Sequence, residues 1–247
     1  MNEELILEIR DLTKSYKTQQ VLNVEAIDIR KGEIVGLIGN NGAGKTTLMS
    51  LILDLIKPSS GWVKSKSILV SESEKWKKYT GSYLDESFLI NFLTPDEYFN
   101  FVGELHGMPP GDTSAFVNQF QSIFNGEIIG QKKYIRDLSK GNQKKVGIIA
   151  ALIGNPEVVI LDEPFANLDP TTQIRIKQLI QNLSDTTTSI ISSHDINQVT
   201  DLANRIILLE KGLVVKDVQK NESTLRELSA YFQSQLQNDS TQGAPPS

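Results

Sequence analysis

The sequence Gly39-Asn40-Asn41-Gly42-Ala43-Gly44-Lys45-Thr46 fits the pattern G-x-x-x-x-G-K-[ST] without a gap. An apolar run, Ile34–Ile38, precedes it, and helical spacing of apolar residues follows it from 46 to 56. In this pattern the glycines let consecutive backbone N–H groups curl around a phosphate, and the following helix points its positive end at the same anion. We therefore expect a phosphate-binding loop between a buried strand and a helix.

The residue types of this loop predict the individual contacts. Lys45 is expected to reach the β and γ phosphates of a nucleotide, and the Thr46 hydroxyl is expected to bind Mg²⁺. An ordinary glycine-rich turn before a helix is the alternative, but a chance match to the pattern in this strand and helix context is rare. The predicted nucleotide-binding residues of the loop are Gly39, Asn40, Asn41, Gly42, Ala43, Gly44, Lys45, Thr46 and Thr47.

Two acidic residues follow a second buried strand. Residues 158–161 are all apolar, and Asp162 and Glu163 come directly after them, where open α/β sheets bind their ligands. We expect Asp162 to hold Mg²⁺, mainly through its water, and Glu163 to act as general base on the attacking water. Taken alone, the pair could equally be surface acids at a strand end. The preceding phosphate loop favours the functional interpretation.

The rest of the chain alternates between strand and helix patterns. Residues 5–9 and 21–29 alternate apolar and polar side chains, which predicts an antiparallel pair around a turn at 14–20. Buried strands alternating with helices indicate a mainly parallel sheet with helices on both faces, so the predicted fold class is α/β with an N-terminal antiparallel β subdomain. The further predicted strands are 189–192 and a hairpin of 206–209 with 213–215, and the further helices are 144–153, 171–183, 195–203 and 224–236.

The region from 59 to about 135 has a different character. It is polar and turn-rich at first and then helical, with aromatic side chains at Tyr98, Phe99 and Phe101 that we expect to serve packing. It predicts a helical subdomain, at about 87–140, inserted between the two halves of the α/β core. The predicted organisation is one domain over 1–220 with this insertion, then a C-terminal helix and a disordered tail over 221–247, with the tail beginning at 238.

Composition excludes several classes of function. The formal net charge is -5, which argues against a nucleic-acid partner because phosphate contacts need clustered Lys and Arg. The chain has no cysteine, which excludes disulfides, thiolate metal sites and a thiol nucleophile. No apolar run approaches the roughly 18 residues of a spanning helix, and the acidic start lacks the basic residues of a secretory signal. We expect a cytoplasmic protein that serves a membrane only through a partner.

Taken in order, these motifs make the sequence resemble the ATP-binding-cassette (ABC) family of ATPases over about residues 5–218. The stretch Leu138-Ser139-Lys140-Gly141-Asn142 is similar to the family's signature, usually L-S-G-G-Q. Asn167-Leu168-Asp169 resembles the family's D-loop, and His194 resembles its switch histidine. Tyr16 matches the aromatic residue that stacks on adenine.

The resemblance implies a P-loop NTPase core that hydrolyses ATP with Mg²⁺. Two such cassettes, identical or different, pair head to tail, and each ATP lies between the phosphate loop of one and the signature of the other. Ser139, Gly141 and Asp169 are then nucleotide-binding residues, and His194 is catalytic beside Glu163. The implied protein is the ATP-binding subunit of a transporter. It would lie on the cytoplasmic face of the membrane, with integral membrane permease subunits as its partners.

The sequence departs from the family pattern at the signature and at one further loop. Lys140 replaces the first signature glycine, while Gly141, the position expected nearest the phosphate, is retained. Where the family usually has a glutamine that senses Mg²⁺ and the attacking water, Glu86 is the best match, and Asp85 stays open as the alternative. Glu86 is therefore expected to be catalytic and metal-binding. Lys140 together with Glu86 resembles the subgroup that powers small export permeases.

Two other functions stay open at this point. A soluble, non-transport cassette ATPase acting on ribosomes or DNA is one, although such relatives usually carry fused cassettes, coiled-coil insertions or basic surfaces, and none is visible. An ATP-gated regulatory subunit with vestigial hydrolysis is the other, against which Glu163 and His194 argue. On its own, Tyr16 would more often be a packing aromatic and His194 an ordinary polar residue, but the order of the motifs favours their functional roles.

Overall fold

The computed structural model describes residues 4–242, with side chains for residues 4–233. This part of the chain forms ten strands and eight α-helices. The strands are β1 (Leu5–Tyr16), β2 (Gln19–Arg30), β3 (Ile34–Ile38), β4 (Ser60–Ser65), β5 (Ile68–Leu69), β6 (Thr80–Tyr83), β7 (Val158–Leu161), β8 (Thr188–Ser193), β9 (Arg205–Glu210) and β10 (Leu213–Gln219). The helices are α1 (Lys45–Ile52), α2 (Pro95–Leu105), α3 (Pro110–Asn118), α4 (Gln121–Phe124), α5 (Lys140–Ala150), α6 (Pro170–Leu183), α7 (Ile196–Thr200) and α8 (Thr224–Gln242).

All the described strands belong to one sheet, in the order β5-β4-β1-β2-β10-β9-β3-β8-β7-β6. From β9 to β6 each strand runs parallel to its neighbours within that part of the sheet. At the other end β1 pairs antiparallel with both β2 and β4, and β9 forms an antiparallel hairpin with β10. The predicted α/β class, with a mainly parallel core and an N-terminal antiparallel part, is confirmed.

The central strand β3 is buried on both faces. Val35 and Leu37 belong to a hydrophobic cluster with α1 and the antiparallel strands, whereas Ile34 and Ile38 belong to a second cluster with the other helices. All five residues of the strand are buried. Burial on both faces is why a parallel strand is a continuous apolar run rather than an alternating one.

Three parts of the sheet differ from the sequence prediction. β1 continues to Tyr16, so the turn before β2 is confined to residues 17–18 rather than 14–20. The polar stretch expected to form turns contains β4 and β5, which pair along β1 and β4 respectively. Residues 81–83, the first half of a loop expected at 81–86, form the end of β6 beside β7. β5 and β6 are the edge strands, and an edge strand needs only one paired side, so a short or polar sequence can form it without a strong local signal. β4 is paired on both sides, and that pairing is not visible in its own sequence.

Helices α2, α3 and α4 lie between β6 and α5. The first begins at a capping box, in which the Thr94 hydroxyl accepts from the Glu97 N–H and Glu97 accepts from the Thr94 N–H, with Pro95 in the first turn. The rings of Phe99 and Phe124 lie 5.9 Å apart and are buried in the same cluster as α5 and β7. The division into an inserted subdomain at 87–140, a domain over 1–220 and a C-terminal part over 221–247 stays a prediction.

The C-terminal helix α8 reaches Gln242. The disordered tail expected from 238 is therefore wrong for residues 238–242, which are helical, and residues 243–247 lie outside the described residues. Leu228 anchors the helix, since it is buried in the larger hydrophobic cluster. Of the helices within residues 4–242, none combines the length and the hydropathy needed to cross a bilayer.

Gly81 tests how closely β6 packs on α5. A Cβ at this position would lie 1.7 Å from the carbonyl oxygen of Ala151, the C-cap residue that follows α5. We expect Gly81→Ala to lower the free energy of unfolding by about 1–3 kcal/mol, as overpacking does, measured by urea denaturation. Gly111→Ala in α3 is the matched control, because a Cβ there meets nothing within 4 Å. Equal stability of the two variants would contradict this packing.

Candidate active site

Three parallel strands bring the predicted site residues to one edge of the sheet. β3, β8 and β7 are neighbours, and their carboxyl ends lead into the glycine-rich loop, His194 and the Asp162–Glu163 pair respectively. Because parallel strands end on the same side, residues far apart in sequence meet there. Motifs that are far apart along the chain therefore lie close together in space.

The glycine-rich loop passes close to the hairpin of β9 and β10. A Cβ on Gly39 would lie 2.3 Å from the Leu209 carbonyl oxygen, so a larger residue would push the loop away from β9. The Gly212 N–H of the hairpin donates to the Ala43 carbonyl at 2.9 Å and supports the loop from the same side. Gly44, which precedes α1, has φ 105°, a conformation that favours glycine.

Lys45 folds back over its own loop. Its side chain is 6% exposed, and its Nζ donates to the Gly39 carbonyl at 2.6 Å. The same atom lies 3.5 Å from Glu163 Oε1. A buried ammonium needs compensating partners, and here the loop and the end of β7 provide them.

Asp162 joins three segments of the chain. The Thr46 hydroxyl donates to its Oδ2 at 2.5 Å, and the Ser192 hydroxyl at the end of β8 donates to its Oδ1. The Ser192 oxygen in turn accepts from the Glu163 N–H at 2.9 Å. Asp162 is 6% exposed, so its carboxylate is held rigidly by hydrogen bonds inside the protein.

Glu163 has an unusual backbone and a partly open side chain. Its φ of 46° lies in the left-handed region, which costs about 1–2 kcal/mol for a residue other than glycine. Its Oε2 lies 2.9 Å from His194 Nδ1, while its backbone carbonyl accepts from Lys144 Nζ at 2.8 Å. Strained residues of this kind cluster at functional sites, where the surrounding structure holds them.

An open cavity of about 320 Å³ lies over these groups. The ring of Tyr16 forms part of its wall and is half exposed, and Lys14 Nζ lies 5.0 Å from the ring centroid. Its lining residues are Tyr16, Val21, Asn40, Asn41, Gly42, Ala43, Gly44, Lys45, Thr46, Thr47, Asp162 and Glu163. Within the described residues, no three His, Asp or Glu side chains gather in a way that could hold a metal ion.

The structure does not bring every predicted residue into this cavity. Ser139 caps α5 by accepting from the Asn142 N–H at 3.2 Å, and a Cβ on Gly141 would lie 3.3 Å from the Asn167 carbonyl. Asp169 caps α6, and its hydrogen bonds from Thr172 hold the pKa of its carboxyl below the usual range. The nucleotide-binding roles of Ser139, Gly141 and Asp169 stay predictions.

Glu86 and Asp85 lie in different hydrogen-bond settings. Glu86 Oε1 accepts from the Tyr83 hydroxyl at 2.9 Å, and burial together with Glu86 raises the pKa of that hydroxyl. Asp85 accepts from the Ser87 N–H at 2.6 Å and so caps the short 3₁₀ turn Glu86–Phe88. Each acid thus has one local hydrogen bond, and the choice of Glu86 over Asp85 for the metal-sensing role stays a prediction.

Sequence reasoning missed Ser192 and Lys144 as parts of this site. Ser192 is the second-last residue of β8, and four of the six residues of that strand carry hydroxyl groups, so nothing in the sequence distinguished it from Ser189 or Ser193. Lys144 looked like one member of a short basic run, yet it is 6% exposed and reaches Glu163. Burial lowers the pKa of the Lys144 ammonium, and the nearby carboxylates of Glu86, Glu163 and Asp162 oppose that shift.

Comparison with known proteins settles the family. A family model described as ABC transporter matches residues 22–166, which is more than half of the chain. The chain belongs to the ABC transporter family. It is an ATP-binding subunit of that family and an ATPase. The glycine-rich loop, Asp162 and Glu163 all fall within the matched residues. The chain is therefore called the cassette below.

The cassette is similar to several curated transport proteins. It is 33% identical to an uncharacterised ABC transporter ATP-binding protein of Methanocaldococcus jannaschii, over 85% of this chain and 76% of that protein. It is 32% identical to the bacitracin transport ATP-binding protein BcrA of Enterococcus faecalis, over 89% and 71% respectively. Among solved structures, a dimeric ATP-binding cassette in a post-hydrolysis state with ADP and Pi superposes with a TM-score of 0.77 and 27% identity, over 87% of this chain and 98% of that one.

Ser192 offers a direct test of how the two acids are held. Ser192→Ala removes the partner of Asp162 Oδ1 and of the Glu163 N–H, and unpaired buried groups cost about 1–3 kcal/mol. We expect that loss in urea denaturation, together with a fall in ATP turnover of roughly 10- to 100-fold, as for other groups that orient ligating side chains.

The neighbouring Ser193→Ala is the matched control for this variant. The Ser193 hydroxyl accepts from the Asp195 N–H at 2.9 Å, a contact made outside the two acids. Its turnover should therefore stay closer to wild type. Wild-type stability and turnover in Ser192→Ala would show that Ser192 does not support Asp162 and Glu163.

Proposed function

We propose that the cassette works as one half of a dimer, hydrolyses ATP with Mg²⁺ at the edge of β3, β7 and β8, and drives export through separate membrane permease subunits. The observation that carries the proposal is the convergence of Lys45, Thr46, Asp162, Glu163 and His194 beside one open cavity. Each of these side chains has a separate task in phosphoryl transfer to water.

The phosphate loop is the first part of this mechanism. Backbone N–H groups of the loop and the start of α1 bind the phosphates. Lys45 exchanges its contact with Glu163 for the phosphates and stabilises their negative charge. The exposed face of Tyr16 is available for stacking by the adenine ring. Together they hold the γ phosphate toward Glu163.

The residues at the loop end suit Mg²⁺. The hydroxyl of Thr46 and the carboxylate of Asp162 are hard oxygen donors 2.5 Å apart, and Mg²⁺ favours such donors while keeping several water and phosphate ligands. When bound, Mg²⁺ neutralises charge that develops on the phosphate oxygens. Glu86, in the 3₁₀ turn that follows β6, is proposed as a further oxygen donor, since β6 lies beside β7, the strand that leads to Asp162.

Glu163 and His194 make up the proposed hydrolytic pair. The Glu163 carboxylate accepts a proton from water as that water attacks, and it is 24% exposed, so water can reach it. His194, 2.9 Å away and half exposed, orients the carboxylate and can donate to the γ phosphate. The backbone bonds of Glu163 keep its side chain aimed into the cavity.

A second cassette completes the proposed site. Ser139 and Gly141, at the start of α5, lie outside the cavity of their own chain, so a role at phosphate requires the ATP of another chain. The N-terminal end of α5 would point its positive end at that ATP. The dimeric form of the similar post-hydrolysis cassette supports this arrangement.

The membrane partner is proposed to dock beside the helices that follow β6. A groove of about 250 Å³ runs between β6 and α2, and large exposed apolar side chains occur in this part of the chain at Phe88, Phe92 and Leu105. Exposed apolar patches of this kind mark protein-binding surfaces. Similar proteins are named for the transport of bacitracin, lantibiotics and choline, which supports a transport role. The proposal of export rests on the subgroup resemblance of Lys140 and Glu86.

Glu163→Gln tests the hydrolytic step. The variant keeps the shape of the side chain but removes the base, so ATP affinity should stay within about threefold of wild type while turnover falls by roughly 10²–10⁴-fold. A dimer should accumulate with ATP and Mg²⁺ in size-exclusion chromatography. Glu157→Gln, at the other end of β7 and paired with Lys66, is the matched control and should turn over normally. Wild-type turnover in Glu163→Gln would remove Glu163 as the base.

A further inference from the structure

Lys144 is a buried charge that the proposed mechanism does not use. It lies in α5, the helix capped by Ser139, and is 6% exposed. Removing an ammonium from water is costly unless it is hydrogen-bonded and compensated by charge. A buried ammonium therefore needs a partner that compensates for its lost hydration. For Lys144 this partner is part of the active site.

The partner of Lys144 is the backbone of Glu163. Lys144 Nζ donates to the Glu163 carbonyl at 2.8 Å, a charge-assisted hydrogen bond. The charges of Glu86, Glu163 and Asp162 raise the pKa of the ammonium and so oppose the effect of burial. The direct contact of the lysine with the site is its hydrogen bond to the Glu163 carbonyl.

Glu163 depends on external contacts to keep its conformation. Its φ of 46° is unfavourable for glutamate, so hydrogen bonds to its backbone must hold it there. The N–H donates to Ser192 in β8, and the carbonyl accepts from Lys144 in α5 at 2.8 Å and from the nearby Ala166 N–H at 3.3 Å. Without Lys144 the carbonyl keeps only the longer, neutral bond from Ala166, which holds the strained backbone less firmly.

We propose that Lys144 is a positioning residue for Glu163: it ties the backbone of the proposed general base to the signature helix α5. The inference rests on the proposed function of Glu163. In the proposed dimer, the start of α5 faces the ATP of the partner cassette. Through Lys144 the same helix would also hold Glu163, the base that acts on the cassette's own ATP. A shift of α5 on dimer closure would reach the backbone of Glu163 through the Lys144 side chain.

Loss of the Lys144 ammonium should affect ATP turnover and ATP binding differently. The phosphate loop does not contact Lys144 by any hydrogen bond or ion pair described within residues 4–233, so loss of the ammonium should leave nucleotide affinity intact. The orientation of the Glu163 carboxylate should change instead, and this should lower turnover. A merely structural lysine would lower stability and affinity together.

The test compares Lys144→Met, which keeps the length of the side chain without its donor, with Lys144→Gln, which keeps a neutral N–H donor. In the full chain with ATP and Mg²⁺, Lys144→Met should bind ATP within about threefold of wild type while kcat falls roughly 10- to 100-fold, as for other orienting groups. Lys144→Gln should lose less. Lys177→Met is the control, because Lys177 pairs with the exposed Asp201 at 3.7 Å and should keep wild-type kcat.

The outcomes distinguish this proposal from the function on which it rests. Glu163→Gln runs in the same assay, and its inactivity with a fully active Lys144→Met would overturn the role of Lys144 alone. An active Glu163→Gln would overturn the base itself. Equal losses of ATP affinity and kcat in both Lys144 variants would show a structural lysine and also overturn the proposal. A fall in kcat alone, graded from Met to Gln, supports it.

Discussion

The arrangement of the site depends on the contacts of the buried Lys45 ammonium with its own loop and with Glu163. The ammonium is held by the Gly39 carbonyl of its own loop and lies 3.5 Å from Glu163 at the end of β7. A buried cation cannot stay unpaired, so these contacts fix the distance between the loop and the acid. In the proposed mechanism the phosphates of ATP take the place of Glu163 beside Lys45, which leaves the carboxylate free to act on water.

The parallel sheet makes this pairing possible. β3, β8 and β7 end side by side, so a loop, a serine and two acids from distant parts of the chain meet at one edge. Asp162 joins them through Thr46 and Ser192. The signature helix α5 reaches the same place from outside the sheet through Lys144. The site is thus a meeting point of α1, β7, β8 and α5 rather than a property of one motif.

Sequence predicted the parts of the molecule that carry strong local signals. The buried strand β3, the strand β7 and the motif residues beside them follow from apolar runs and from residue types that phosphate chemistry requires. Strand β4 and the edge strand β6 were not predicted, because their pairing with neighbouring strands, not their composition, makes them strands. The role of Lys144 was not predicted, because the sequence of a lysine pair gives no sign of burial, which depends on how α5 packs against the end of β7.

The most direct measurement of the central claim is the ATP affinity of Lys45→Ala by isothermal titration calorimetry, with circular dichroism to confirm the fold. Hydrogen bonds to charged groups contribute about 1.5–3 kcal/mol, so we predict that affinity falls roughly 10- to 100-fold or more. A folded variant that binds ATP as tightly as the wild-type cassette would contradict the account, since the phosphates would then be held without Lys45.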